Sequence, residues 1–307
     1  MRPVSSDPAD LRRGAVAVAS NGRRAIQPTT ADLTVVVPAR NAERVLDRCL
    51  DSIMASGPNE VIVVDGMSTD GTVETALRHG VRVMSDGGAG LPAARRIGAE
   101  AARTRLVALV DADVVLPEGA LATLLEEFVD GGYAGLQAGL YSVSGPDYWG
   151  SALAFHHRTG RSRNWFGLVA TIFDRDALLH HDFDDRFISG EDIDLRWRLD
   201  AAGRRIGVSE RTLVEHRFEE GFAFARSQWV ADGEGLGRMV ATRGVGRAIL
   251  LLALPLAAMV RGIGVSLGRL QPKWIPYFVL YMAYNYLGIA RVLLSHLRSP
   301  SPAEGAA

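Results

Sequence analysis

Residues 61–72 read VIVVDGMSTDGT and residues 106–117 read LVALVDADVVLP, two apolar runs that each end in a short acidic loop. Near-continuous apolar runs of this length suit strands buried on both faces of a parallel sheet. In such sheets ligands gather where the chain leaves the carboxyl ends of the strands. Asp111 and Asp113 stand two apart, and side chains at that spacing in an extended segment project to the same side. Both carboxylates can therefore converge on one site. Two carboxylates held close repel unless a proton or a cation lies between them. A hard divalent metal bridging to a phosphorylated substrate meets that need. A lone D-x-D is more often a polar turn closing a strand, so the rest of the chain must decide.

Upstream, LTVVVPAR (33–40) reads as a strand stopped by Pro38, and Glu43 to Ala55 has helical spacing at Val45, Leu46, Leu50, Ile53 and Met54. Thr72 to Arg78 is a short helix, with Asp70 suited to cap it. VRVM (81–84) is a third strand, followed by the glycine-rich SDGGAGLP. Ala93–Arg103 and Leu121–Val129 are helical. Strand–helix alternation of this kind predicts an α/β fold with a mostly parallel, twisted sheet flanked by helices. From about Gly131 the regularity weakens, and residues 139–164 read as a long functional loop. A helix returns over Glu191–Ala202, stopped by Gly203. IGV (206–208) and TLVEHRF (212–218) then read as two strands.

The 307 residues suffice for one large α/β domain with an appendage. With 34 basic and 35 acidic residues no global field points to nucleic acid. The single cysteine, Cys49, excludes an internal disulfide framework and a multi-cysteine zinc site. The first 32 residues read as a disordered, non-exported tail, since their apolar stretch Ala15–Ala19 is too short for a signal-peptide core. Residues 299–307 read as a second tail. Between residues 236 and 298 lie two apolar runs, Ala248–Leu267 (interrupted by Arg261) and Trp274–Leu294 (containing Asn285 and Arg291). Charge inside a spanning segment is costly. A C-terminal helical hairpin lying in a membrane interface, two membrane spans and two buried core helices are all compatible with these runs.

The ordered set PARN (38–41), VIVVDGMSTDGT (61–72), GLPAARRIG (90–98), VDADVVLP (110–117) and SGEDIDLRWRLDAAG (189–203) resembles family 2 glycosyltransferases, inverting enzymes on the GT-A fold. The resemblance implies a catalytic domain over residues 33–235 and a membrane-associated segment over 236–298. Pro38 and Arg40 fall where the family opens its nucleotide site. Asp65 matches the carboxylate that accepts from the base, usually uracil, and Arg95 matches an arginine facing the diphosphate. Arg96 stands where asparagine is usual. Asp111 falls near the ribose and the metal, and Asp113 at the direct ligand of Mg²⁺ or Mn²⁺. His216 lies where members supply a further ligand. Asp192 matches the general base, with Glu191 orienting it or meeting the acceptor. The implied reaction moves a sugar from a nucleotide-sugar donor, UDP-linked, to a hydroxyl of a lipid-linked or cell-envelope acceptor on the cytoplasmic side of the cell membrane.

Two departures stand out. The stretch usually glycine-glycine-phenylalanine reads HHDFDDRF (180–187), preceded by Trp165, Phe166 and Gly167, and Ser227-Gln228-Trp229-Val230 lacks the Q-x-x-R-W element of processive synthases. Two other readings stay open. A sugar nucleotidyltransferase would place a longer glycine-rich signature with a lysine near the first strand, and PARNAERVLDR has no lysine. An inactive nucleotide-sugar-binding scaffold would be expected to lose a metal or base carboxylate, and Asp65, Asp111, Asp113 and Asp192 are all present. A dehydrogenase would need a G-x-G-x-x-G after the first strand.

Overall fold

The computed structural model describes residues 28–160, 166–184, 187, 189–242 and 245–298. A 3-10 turn at Thr30–Asp32, in the stretch expected to be tail, leads into β1 (Leu33–Ala39). The alternation then runs α1 (Glu43–Met54), β2 (Glu60–Asp65), α2 (Thr72–Arg78), β3 (Arg82–Ser85), α3 (Leu91–Ala101) and β4 (Leu106–Val110). Each apolar run read as a strand is one. β1 is buried along its whole length, and its residues alternate between two cores. Val35 and Val37 join the core under α1, with Leu46, Cys49, Leu50 and Ile53. Val36 joins Ile62, Val107 and Leu109 in the core under α3. Gly98 lets α3 lie directly on β1, since a β-carbon there would meet the Val36 side chain.

The remaining elements are β5 (Val114–Val115), α4 (Ala120–Asp130), β6 (Gly135–Ser144), α5 (Tyr148–Thr159), β7 (Ala170–Asp174), α6 (Arg175–His181), α7 (Glu191–Ala201) and β8 (Ile206–Phe218). The sheet order is β3-β2-β1-β4-β7-β6-β8-β5. β1, β2, β3 and β4 pair in parallel, as do β6 and β8. The β4–β7, β6–β7 and β5–β8 pairs are antiparallel. The helix-flanked α/β sheet is as expected, with a mixed second half.

The expected long loop over 139–164 is instead the end of β6 and all of α5, as far as residue 160. β6 escapes an apolar-run criterion because its buried face carries Gln137 and Ser142. α5 is announced by Asp147, whose carboxylate accepts from the N–H groups of Trp149 and Gly150, an N-cap hidden in SGPD. IGV and TLVEHRF form the single strand β8, and its register against β6 shifts between Gln137 and Gly139.

Three helices follow: α8 (Phe222–Thr242), α9 (Val245–Gly268) and α10 (Ile275–Arg298). The domain boundary expected between 235 and 236 falls inside α8, which is continuous. α8 meets α10 backbone to backbone, because β-carbons at Gly233 and Gly288 would strike the Asn285 and Val230 carbonyl oxygens. An aromatic core holds the hairpin to the rest. Trp274 stacks on Phe155 with ring centroids 5.4 Å apart, and Trp229 stacks on Tyr284 at 5.8 Å.

Candidate active site

β1 has β2 on one side and β4 on the other, so the order 3-2-1-4 reverses between β1 and β4. Ligands of open α/β sheets bind outside the strand ends at such a switch point. Pro38, Asp65 and Asp111 stand there, at the carboxyl ends of β1, β2 and β4. Pro38 is buried opposite Val64, while Arg40 is exposed and lies over Gly66. The Asp65 carboxylate accepts the Ser68 N–H at 3.2 Å, folding the loop in which Met67 takes a positive φ of 62°. Asp70 accepts the Thr72 N–H at 3.1 Å and the Glu43 N–H at 3.2 Å, tying α2 to α1. Asp86 does equivalent work for the glycine-rich loop, accepting from Gly88 at 2.7 Å and Gly90 at 3.0 Å. Gly87, Gly88 and Gly90 all have left-handed φ. Asp86 was missed in the sequence, although Asp before Gly-Gly signals an Asx turn.

Arg95 is the hub. Only 1% exposed, it donates from one terminal nitrogen to Asp111 Oδ1 at 2.9 Å and from the other to Glu191 Oε1 at 2.7 Å. Burial works against the Arg95 charge, but the two carboxylates outweigh it and hold its pKa above the ordinary value. Burial raises the Asp111 carboxyl despite Arg95, and Asp113 adds to the rise. Burial likewise pushes Glu191 up to about 7, opposed by Arg95 and reinforced by Asp192. The expected diphosphate-facing arginine thus has both terminal nitrogens engaged by carboxylates that neighbour the expected metal and base positions. Arg96 ion-pairs with Asp182 at 3.5 Å.

Asp111 and Asp113 stand in a turn instead of an extended segment, with Asp111 still within electrostatic reach of Asp113. The Val114 N–H donates to the Asp111 carbonyl at 3.1 Å, closing a turn that sends Asp111 toward Arg95 and Asp113 toward His216. The β5–β8 register sets His216 opposite Val114, a long-range pairing that no local pattern discloses. His216 Nε2 lies 3.3 Å from Asp113 Oδ2. Burial lowers the affinity of His216 for a proton, yet Asp113, their hydrogen bond and Asp111 together raise it. Among the described residues no three His, Cys, Asp or Glu side chains are grouped to hold a metal ion. The pair nevertheless suits a hard cation. Asp113 Oδ1 is buried without a hydrogen-bond partner, and Mg²⁺-type ions need only one or two carboxylates when substrate phosphates supply the remaining ligands.

Across the cleft, Glu191 and Asp192 open α7, where the helix dipole favours acidic residues. Glu191 is buried and Asp192 partly exposed. The turn before them is clasped by α8. A β-carbon on Gly190 (φ 86°) would meet Met239, and one on Gly235 would approach the Ser189 carbonyl. Asp232, also missed, stands on α8 within electrostatic reach of Asp192. The surrounding protein and the Asp192 carboxylate hold its carboxyl above the ordinary range. His157, missed as well, has its ring centroid 6.4 Å from that of His216. In the divergent stretch, Phe183 and Phe187 are buried, as is Phe166, and the Gly167 N–H donates to Gln137 Oε1 at 2.7 Å. Trp165, Asp185 and Arg186 lie outside the described residues.

The fold is that of known sugar-transferring enzymes. A mannosyltransferase from Pyrobaculum calidifontis, solved with GDP-mannose and Mn²⁺, superposes with a TM-score of 0.60 over 84% of this chain and 87% of its own, at 18% identity. The pre-mycofactocin glycosyltransferase of Mycobacterium tuberculosis is 29% identical over 205 residues, 62% of this chain. The 4,4'-diaponeurosporenoate glycosyltransferase of Staphylococcus aureus is 34% identical over 146 residues, 45% of this chain. The chain spans 43% and 39% of the lengths of these two relatives. Residues 34–187 match the family model described as glycosyl transferase family 2, and the chain belongs to that family.

Proposed function

We propose that the chain is a metal-dependent, inverting glycosyltransferase that moves a sugar from a nucleotide-sugar donor, UDP-linked, to a hydroxyl of a lipid-linked or cell-envelope acceptor on the cytoplasmic side of the membrane. One observation carries the reading: Arg95 ties the carboxylate beside the metal position, Asp111, to the carboxylate beside the base position, Glu191. The two halves of a displacement are thereby held at one spacing. Asp65, Pro38 and Arg40 border the nucleoside position. Asp113 and His216 would hold Mg²⁺ or Mn²⁺, which supplies positive charge against the departing nucleoside diphosphate. Asp192 takes the proton of the acceptor hydroxyl as it attacks the anomeric carbon from the face opposite the leaving group. Arg95 holds Asp111 and Glu191 in place, and opposes the rise that burial gives both carboxyls, without needing to touch the substrate. The Pyrobaculum neighbour, solved with GDP-mannose and Mn²⁺, supports a nucleotide-sugar donor and a divalent metal without bearing on the base, and the apolar hairpin supports a membrane-borne acceptor.

The test is nucleoside diphosphate release by purified full-length protein with Mn²⁺ across a donor panel, with membrane lipid extract as acceptor. Product anomers would be read by NMR. Asp113→Ala and Asp192→Asn should each lower turnover at least 10²-fold, the scale of one catalytic acid–base group. Wild-type rates in both variants would sink the reading. Pyrophosphate as product would point to a nucleotidyltransferase instead, and nucleotide-sugar binding without turnover to an inactive scaffold.

A further inference from the structure

The C-terminal hairpin exposes apolar side chains and buries polar ones. On α9, Ile249, Leu250, Leu254, Leu256, Val260 and Leu267 are between 42% and 64% exposed and form one stripe at helical spacing. On α10, Pro276, Val279, Ala283, Leu287, Ala290 and Leu294 are exposed and form a second apolar stripe, with the exposed Arg291 and Ser295 along one edge of it. Inside, by contrast, Asn285 and Ser266 are fully buried, and the Tyr286 hydroxyl donates to the Leu252 carbonyl at 2.9 Å. The two apolar segments, Ala248–Gly268 and Pro272–Ser295, are long enough to cross a membrane by length and composition.

Their contacts argue against crossing. The turn between them touches the catalytic domain: the Tyr148 hydroxyl donates to the Lys273 carbonyl at 2.7 Å, and Trp274 stacks on Phe155. Midway along α9, the Arg261 guanidinium donates to the Thr159 carbonyl at the end of α5. Along α10, Asn285, Gly288, Ile289 and Val292 lie against α8, which carries Asp232, Glu234 and Arg238. A hairpin spanning the bilayer would carry α5 and α8 into hydrocarbon, where charged groups are costly. Charge also identifies what covers the apolar stripes. Residues 236–298 contain seven arginines, the only lysine of the chain and no acidic residue. At the turn, Leu270 is 89% exposed between Arg269 and Lys273. An apolar face bordered by Arg269, Lys273 and Arg291, the last of them paired with Glu234 of α8, fits an anionic bilayer surface.

We infer that α9 and α10 lie in the plane of an anionic lipid surface, their outer stripes sunk among the headgroups, and that the hairpin does not cross it. The inference deepens the proposed membrane-side function but stands on different residues. The experiment uses the full chain with phosphatidylcholine vesicles with and without phosphatidylglycerol. Wild type should float with the anionic vesicles, lose binding as salt rises, and bind at least tenfold more weakly after Leu250→Glu, Leu254→Glu and Val260→Glu are combined. UDP–Mn²⁺ binding by calorimetry should survive in that triple variant, showing an intact fold. Spin labels on Leu250→Cys, Val260→Cys and Leu270→Cys should report one shallow depth. The native Cys49 is buried. Depths graded by about 15 Å per ten residues would indicate spanning helices and overturn the inference. Failure of wild type to bind vesicles would also overturn it, as would a wild-type dimer that the triple variant breaks. Vesicle binding without turnover would count against the glycosyltransferase reading alone, and turnover without vesicle binding against this inference alone.

Discussion

Arg95 shows what a sequence can and cannot disclose about one residue. Its place in GLPAARRIG marks it for the site, but its partners stand 16 and 96 residues away. Only the fold reveals that it neutralises two carboxylates instead of facing solvent. Removing one member of a buried charge network leaves the others uncompensated, at a cost of about 3–5 kcal/mol. Arg95→Met should therefore lower stability by that amount in urea denaturation. Arg95→Lys should recover little, because a point charge cannot bond two carboxylates as a planar fork does. A near-neutral Arg95→Met would show that the bridge is not structural. Asp65, Asp111, Asp113, Glu191 and Asp192 stand out in the sequence because they end or follow an apolar strand or open a helix. Asp86 and Asp232 do not, since an Asx turn and an acid midway along a helix look ordinary in one dimension.

At the scale of elements, the apolar runs of β1, β2 and β4 and the periodicity of α1 spoke plainly. β6 and β7 did not, because Gln137 and Thr171 are fully buried in their interiors and break the apolar pattern. α8 is the element whose construction is least legible. DGEGLG (232–237) reads as a flexible or helix-poor stretch, yet it lies inside one continuous helix. Gly233 and Gly237 admit α10 on one side, and Gly235 admits the Ser189 turn on the other. At Gly233 a methyl would sit 2.1 Å from the Asn285 carbonyl oxygen. Gly233→Ala should thus destabilise by about 1–3 kcal/mol through overpacking. Gly264, in α9, has open space where a β-carbon would go. Gly264→Ala should stabilise by about 0.5–1 kcal/mol, from helix propensity alone. Thermal melts of both variants check the pair, and equal shifts would refute the close α8–α10 contact.

At the scale of the molecule, the hairpin and the catalytic domain share a buried polar link. His156 Nδ1 lies 3.0 Å from the Tyr277 hydroxyl, which also receives the Trp229 indole N–H at 3.4 Å. Burial, with Arg261 adding to it, lowers the His156 pKa to about 4. The folded state keeps this ring neutral while the unfolded chain takes up a proton below about 6.5. Its contribution is therefore complete above that pH and is lost as pH falls toward about 4. Glu191, raised to about 7, works in the opposite sense, binding its proton more readily in the folded state as pH drops. The His156 term is isolated by comparison with His156→Gln. The stability advantage of wild type should shrink by about 1.4 kcal/mol per pH unit below 6.5, read from urea midpoints at pH 7.5 and 5.5. A constant advantage would mean the ring is not held neutral.

α10 turns its apolar stripe away from α8, and α8 turns Gly235 away from α10 toward the Ser189–Gly190 turn that carries Asp192. With its outer stripe on a bilayer, this stack is a spacer of set height. Helix layers packed at about 8–10 Å place Asp192, the proposed base, roughly 15–20 Å above the headgroup plane. A hydroxyl attached directly to a lipid backbone would sit too low to be reached. One lifted on a diphosphate or a first sugar would stand at the right altitude, so the thickness of two helices becomes a ruler for the acceptor.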